Sequence, residues 1–177
     1  MRTSTRADTG VGLIETMIAM LVLTVGAVGM ASVFLYGMQN ITSSPNELIA
    51  TQKASEAMES VFSARDSHTI TWAQLRNASD GGIFADGPTG ITVSGADGIL
   101  NTADDGAIES TEMPGPDQTL GTDDDTLQTL TGFQREIIIS DLDPPSPDLR
   151  QVTVIITYQA GTTSRTFILS AYISRFA

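Results

Sequence analysis

Cysteine is absent from the 177 residues of this chain. No disulfide can close a loop, so any order in the loops must come from hydrogen bonds, packing or a bound ion. Histidine and tryptophan occur once each, as His68 and Trp72. A metal centre of the zinc kind recruits several His or Cys ligands. His68 therefore reads as a surface or turn residue, and Trp72, with Leu75, as a core plug. Cations are scarce: 9 Lys and Arg stand against 21 Asp and Glu, for a net charge of −12. Nucleic-acid binding favours basic patches, and this balance argues against it. No phosphate-cradling glycine loop and no Ser-His-Asp spacing occurs. Acid pairs such as Asp104 and Asp105 sit on a glycine-rich loop, so the chain reads as a non-enzyme.

What the chain does have is one long apolar run. Residues 17–38 are about 22 residues, roughly 33 Å as a helix, which matches the hydrocarbon thickness of a bilayer. Arg2 and Arg6, partly offset by Asp8, precede it. The positive-inside tendency then leaves residues 1–10 in the cytoplasm and sends everything beyond Met38 across the membrane. From Val11 to Met38 the only charge is Glu15. An acid at mid-bilayer costs roughly 2.5–3.5 kcal/mol on insertion scales, so Glu15 asks for a partner. A cleaved secretory signal would end near Ala27-Val28-Gly29, yet the apolar run continues through Val33-Phe34-Leu35-Tyr36. A plain anchor leaves Gly10 and Glu15 without a role. Gly26, Gly29 and Gly37 lie inside the run without a clean GxxxG spacing.

Gly10-Val11-Gly12-Leu13-Ile14-Glu15 resembles the cleavage and methylation motif of type IV prepilins and type II secretion pseudopilins. The stretch through Ala19-Met20-Leu21-Val22-Leu23 and Gly26-Ala27-Val28-Gly29 is most similar to the pilus-modification minor pilins. The resemblance covers roughly residues 10–40. It implies cutting after Gly10 by a membrane prepilin peptidase and N-methylation of the new amine on Val11, where the family usually carries Phe. It implies that Glu15 pairs with the terminal amine of a neighbouring subunit and sets register in assembly. A carboxylate in the first helical turn is favoured by the helix dipole, and an opposite charge nearby stabilises it once desolvated. Losing Arg2, Arg6 and Asp8 takes the net charge from −12 to −13. The implied partners are other pilin or pseudopilin subunits, the peptidase and the membrane, with a platform protein and an ATPase acting indirectly. The implied location is the bacterial inner membrane, then a surface pilus or periplasmic pseudopilus.

The expected fold is α+β: a leader at 1–10, a helix over 11–64, and an extracytoplasmic domain over 65–177. Ser44-Pro45-Asn46-Glu47 reads as a capping box with proline at the first helical position, so a kink or short break is expected near 42–44. The helix then resumes over 45–64 with Leu48, Thr51, Ser55, Met58 and Phe62 on one stripe, widened by Ile49 and Val61. Strands are expected at 133–140, at 151–158 with Val152, Val154, Ile156 and Tyr158 inward, and at 165–173 with Phe167, Leu169, Ala171 and Ile173 inward. Residues 159–163 form a hairpin turn, 143–147 a proline-rich loop, and Ile91-Thr92-Val93 a further short strand. The result is an antiparallel sheet of three or four strands across 133–175, packed on the second half of the helix.

Within the acidic loop 94–126, one pattern occurs twice, about 20 residues apart: Gly-x-Asp-x-x-Leu-x-Thr-x-Asp-Asp, at 95–105 and 115–125. Clustered carboxylates on a glycine-rich loop suit Ca²⁺, which takes 6–8 oxygens in flexible geometry. The ligands would be Asp97, Asn101, Asp104, Asp105, Asp117, Asp123, Asp124 and Asp125. The spacing is not that of an EF-hand. Gly, Asp and Thr also favour turns without any ion, which makes a solvated acidic loop the competing account. The functional alternative to an assembling subunit is a membrane-anchored, calcium-dependent binding or adhesion domain that does not assemble.

Overall fold

The computed structural model describes residues 12–142, 148–161 and 163–176; the side chains of 39–44 lie outside that description. The architecture is α+β. Its elements are α1 (Leu13–Asp66), a 3-10 turn (Ala78–Asp80), β1 (Thr89–Gly90), β2 (Ser110–Met113), β3 (Thr126–Thr129), β4 (Phe133–Asp141), β5 (Leu149–Ala160) and β6 (Thr163–Ser174). The chain divides into two compact units, Met1–Ile41 and Thr42–Ala177.

The described part of the first unit is helix. Its 26 residues Leu13–Met38 are long and apolar enough to cross a membrane, and none is buried. The expected break near 42–44 does not occur: the helix is continuous from Leu13 to Asp66 with Pro45 inside it. Proline lacks the N–H that would reach the Ile41 carbonyl, which removes one rung. The boundary between the two units falls at that carbonyl. Ser44 is therefore not a helix start.

In the second unit the helix buries Ala50, Ala54, Ala57, Val61 and Ala64, with Ile49 and Met58 beside them. Ile49, Met58 and Val61 face inward as expected, but the rest of the expected stripe is corrected. Leu48 is 61% exposed, Ser55 is exposed, and Thr51 and Phe62 are half-buried. The buried stripe mixes small residues, Ala50, Ala54, Ala57 and Ala64, with Ile49, Met58 and Val61, so methyl-sized side chains share the packing with bulky ones. Asn46 Nδ2 donates to the Gln159 carbonyl at 2.7 Å, and Arg65 Nη1 to the Ser174 carbonyl at 2.5 Å. These bonds run this part of the helix alongside β6 in the same direction.

The main sheet is antiparallel, ordered β1-β4-β5-β6. Strict alternation buries Val152, Val154, Ile156 and Tyr158, as the period-2 pattern predicts. Ile173 is buried, while Phe167, Leu169 and Ala171 are partly covered and pack on the core. Phe133 stacks on Tyr158 at 5.9 Å between ring centres. The β5–β6 turn closes on the Ala160–Thr163 pair, where Gly161 takes φ 65°, a conformation that favours glycine. The loop 143–147 lies outside the described residues. Residues 91–93 do not form a ladder strand: β1 is Thr89–Gly90, and Thr92 makes a lone bridge to Ile108. An unexpected hairpin, β2–β3, rises from the acidic segment.

His68 is an exposed turn residue, with φ 56°. Leu75 is fully buried and Trp72 packs partly against the core.

Candidate functional site

Two places carry the predicted chemistry. The first is the head of α1. Gly10 and Val11, the expected cleavage pair, lie outside the described residues, as does the leader 1–10. Gly12 opens the helix, its carbonyl accepting from the amides of Glu15 at 3.0 Å and Thr16 at 3.2 Å. Glu15 sits in the first turn. The serine and threonine hydroxyls of this apolar segment are satisfied by their own helix: Thr16 donates to the Leu13 carbonyl at 2.7 Å, Thr24 to Leu21 at 2.8 Å, and Ser32 to Val28 at 2.9 Å. Such back-bonding lets Ser and Thr sit in lipid at little cost. The Glu15 carboxylate has no bond of that kind among the described residues.

The second place is the aspartate repeat, which folds into the same loop twice. Asp97 Oδ1 accepts from the amide of Ile99 at 2.8 Å, and Asp117 Oδ1 from that of Thr119 at 2.9 Å. Thr102 donates to Asp104 at 2.8 Å, and Thr122 to Asp124 at 2.6 Å. The amides of Asp97 and Asp117 point to Asp104 and Asp124 at 3.3 and 3.4 Å. Asp105 accepts from the Asn101 amide at 2.9 Å, and Asp125 from the Gly121 amide at 2.5 Å. Positive φ recurs at Gly98 and Gln118, and at Asn101 and Gly121. A Cβ on Gly95 would come within 2.3 Å of the Asp104 carboxyl, and one on Gly115 within 2.3 Å of Asp124. The repeated glycine is thus a steric requirement of the carboxylate that folds over it.

These bonds set the electrostatics. The Thr102 hydroxyl, opposed by desolvation and aided by loop amides, holds the Asp104 carboxyl below its ordinary value; Thr122 does the same for Asp124. At Asp125 desolvation pushes upward but is outweighed by the amides of Gly121, Thr122 and Gly115. Asp123 is exposed beside them. Among the described residues no group of three or more His, Cys, Asp or Glu is gathered as a metal centre. Asn101, one of the expected oxygen ligands, uses its carboxamide elsewhere: Thr89 donates to its Oδ1 at 2.9 Å, and its Nδ2 donates to the Ala85 carbonyl at 3.3 Å.

The twins differ in their seats. In the first loop Ile99, Leu100, Asn101 and Thr102 are buried. Leu100 donates its amide to Ser60 of α1 at 3.1 Å. Asp105 also accepts from Thr92 at 2.8 Å and faces the fully buried Arg135 at 3.4 Å. Burial pushes the Arg135 guanidinium down, against the pull of Asp105, Glu56 and Glu109. The second loop tops the β2–β3 hairpin with Thr119, Leu120 and Gly121 exposed.

Sequence reasoning missed two buried arginines. Arg135 falls between Phe133 and Ile137 on β4, and Arg150 two residues before Val152 on β5; both occupy inward positions of the alternation. Arg150 Nε donates to Asp141 at 2.8 Å, and its Nη1 donates to the carbonyls of Trp72 and, at 2.9 Å, Leu75. It also lies over the Trp72 ring at 4.3 Å. A charge on an inward strand position was the available signal, since arginine is almost never fully buried unless paired.

Compared with family models, curated proteins and solved structures, the chain matches none.

Proposed function

We propose that this chain is a structural subunit of the type IV pilin or pseudopilin kind, a minor one, cut after Gly10 and assembled through its N-terminal helix. The observation that carries the reading is the head of α1: an exposed apolar helix whose serine and threonine hydroxyls are bonded to their own backbone, with one carboxylate left over in its first turn. In lipid such a carboxylate needs a cation. After cleavage the Val11 amine of a neighbouring copy supplies it: it lies four residues upstream, about 6 Å along the helix, and comes level with Glu15 when adjoining copies are staggered axially by about that distance. Other subunits, the prepilin peptidase and the inner membrane are the direct partners. An ATPase and a platform protein act indirectly, by driving assembly. The α+β layout, with an extracytoplasmic sheet domain following the helix, fits this role.

Glu15→Ala is the test. It is expected to leave cleavage after Gly10 intact while the subunit disappears from sheared filaments, scored by immunoblot of filament and membrane fractions. Normal incorporation of the variant would remove the pairing role.

The rival reading, a membrane-anchored Ca²⁺-dependent binding domain that does not assemble, draws on the loop folded twice in the same way. It requires Ca²⁺ to support the fold by linkage. On that reading EGTA lowers the Tm of the detergent-solubilised chain and added Ca²⁺ restores it. Superimposable melting curves leave the loops as self-bonded turns.

A further inference from the structure

Segment 69–83 and the first aspartate loop line a groove of about 570 Å³ in the Thr42–Ala177 unit. Ile70, Ile99 and Thr102 are buried at its floor, with Ile83 half-buried beside them. Asp97 and Asp104 stand exposed in its lining, and no Lys or Arg lines it among the described residues. A pocket of that size, apolar with a few charges of one sign, suits an apolar group with the opposite charge next to it. The same unit presents such a group. β6 ends at Ser174 and the chain bends at Arg175, so strand alternation does not set Arg175 and Phe176 on opposite faces. Phe176 is 72% exposed. Arg175 pairs with Asp148 at 3.5 Å, with both side chains more than a third exposed, and a pair of that kind is weak.

Groove and projecting group lie at the same level of α1 and on different flanks. The Ala64 carbonyl accepts from the amides of Thr69 and Ile70 in the groove wall at 3.1 and 3.3 Å. Arg65, the next residue, holds the Ser174 carbonyl at 2.5 Å. The wall runs on to Ala78, next to Asn77, whose carboxamide bonds Ile137 and Ile139 at 2.7 and 2.8 Å on the stretch of β4 beyond its pairing with β1. Arg175 and Phe176 follow β6, the opposite edge of the sheet. We propose that this groove receives Phe176 of a second copy of the chain on its apolar floor, with Arg175 of that copy at the Asp97 and Asp104 carboxylates. Matching levels let copies with parallel helices meet. Different flanks make the contact heterologous, so it repeats from copy to copy. An aromatic side chain buries roughly 150–250 Å², against about 1,200–2,000 Å² for a free-standing interface. The contact therefore rests on the assembly reading: it adds register between copies that their helices already hold side by side.

The chain has no cysteine, so introduced ones report alone. Ala103 is an exposed residue of the groove lining. The full chain carrying Ala103→Cys and Phe176→Cys is oxidised in its own membranes and in sheared filaments, then run on a denaturing gel. A ladder of dimers, trimers and higher species is expected, with none from either single variant. Adding Arg175→Glu should abolish the ladder, and Arg175→Lys should keep it. A second pair, Ala78→Cys with Phe176→Cys, probes the other wall and replaces the first if its Tm shows a damaged fold. Three results would overturn the contact while leaving the assembly reading in place: no ladder in filaments that contain the subunit, a ladder indifferent to Arg175→Glu, or a cross-link from a single variant. Absence of even the wild-type chain from filaments would overturn the assembly reading and this contact with it.

Discussion

Asp105→Ala is expected to destabilise the Thr42–Ala177 unit by about 3 kcal/mol, the low end for removing one partner of a buried ion pair. Asp125→Ala, the same change at the same position of the twin loop, is expected to move the urea midpoint far less. The contrast isolates the seat from the loop. Each aspartate accepts a bond from the amide four residues before it, so that loss is common to both. Only Asp105 also holds the Arg135 guanidinium, whose side chain is 1% exposed. Removing Asp105 leaves that charge inside a core of Ile137, Ile156 and Leu130, with Glu56 and Glu109 acting from further off. A double variant, Asp105→Ala with Arg135→Met, should recover much of the loss, because an apolar side chain of similar length needs no counter-charge. Equal midpoints for the two aspartate variants would refute a structural role for the Arg135 pair.

Arg150→Met is expected to cost at least about 3 kcal/mol, from two deprived carbonyls at roughly 1 kcal/mol or more each when buried and a lost cation–π contact of about 1 kcal/mol. Against a typical stability of about 5–15 kcal/mol, that is a large share. The same variant should alter the acid limb of stability. The Arg150 hydrogen bond is the main force holding Asp141 below its ordinary value of 3.8, against desolvation and with help from the charges of Arg150 and Arg76. A carboxylate depressed in the folded state contributes stability that is present above its unfolded value and lost as pH falls through the folded one. The wild type should therefore lose this contribution only as pH drops below 3.8, and the variant should show a shallower fall over that range. Asp141 is half-exposed, so solvent screens the effect and the slope, not its size, is the readout. Parallel acid limbs would remove Asp141 from the account.

The strand β4 was legible from its Ile137-Ile138-Ile139 run, and β5 and β6 from apolar residues recurring at every second position, Val152 to Tyr158 and Phe167 to Ile173; one buried face fixes the register. Arg135 and Arg150 sit in that alternation and look like errors in it until their partners are known. Those partners, Asp105 and the Trp72 and Leu75 carbonyls, are distant in sequence, so no local pattern announces them. β1 and the β2–β3 hairpin were not legible: strands of two and four residues, written in Thr, Ser, Gly, Glu and Gln, carry too few apolar positions to show a period. The helix stripe was legible at Ile49, Met58 and Val61 and misread at Leu48 and Ser55, because bulk was counted and the buried methyls of Ala50, Ala54 and Ala57 were not. The aspartate repeat was visible as a repeat. Its fold was not, since whether a carboxylate turns to a loop amide or outward depends on φ at Gly98, Gln118, Asn101 and Gly121. Glu15 was legible as the lone charge of an apolar run, and the structure adds that the neighbouring hydroxyls are already bonded.

The central claim is that a new amino end at Val11 meets Glu15 of an adjoining copy. Intact mass of the chain recovered from filaments, and from membranes with and without prepilin peptidase, tests it most directly. The account predicts a polypeptide beginning at Val11, with or without one methyl group, in filaments and in peptidase-containing membranes, and one beginning at Met1 where the peptidase is missing. A chain that still begins at Met1 within an assembled filament would contradict it.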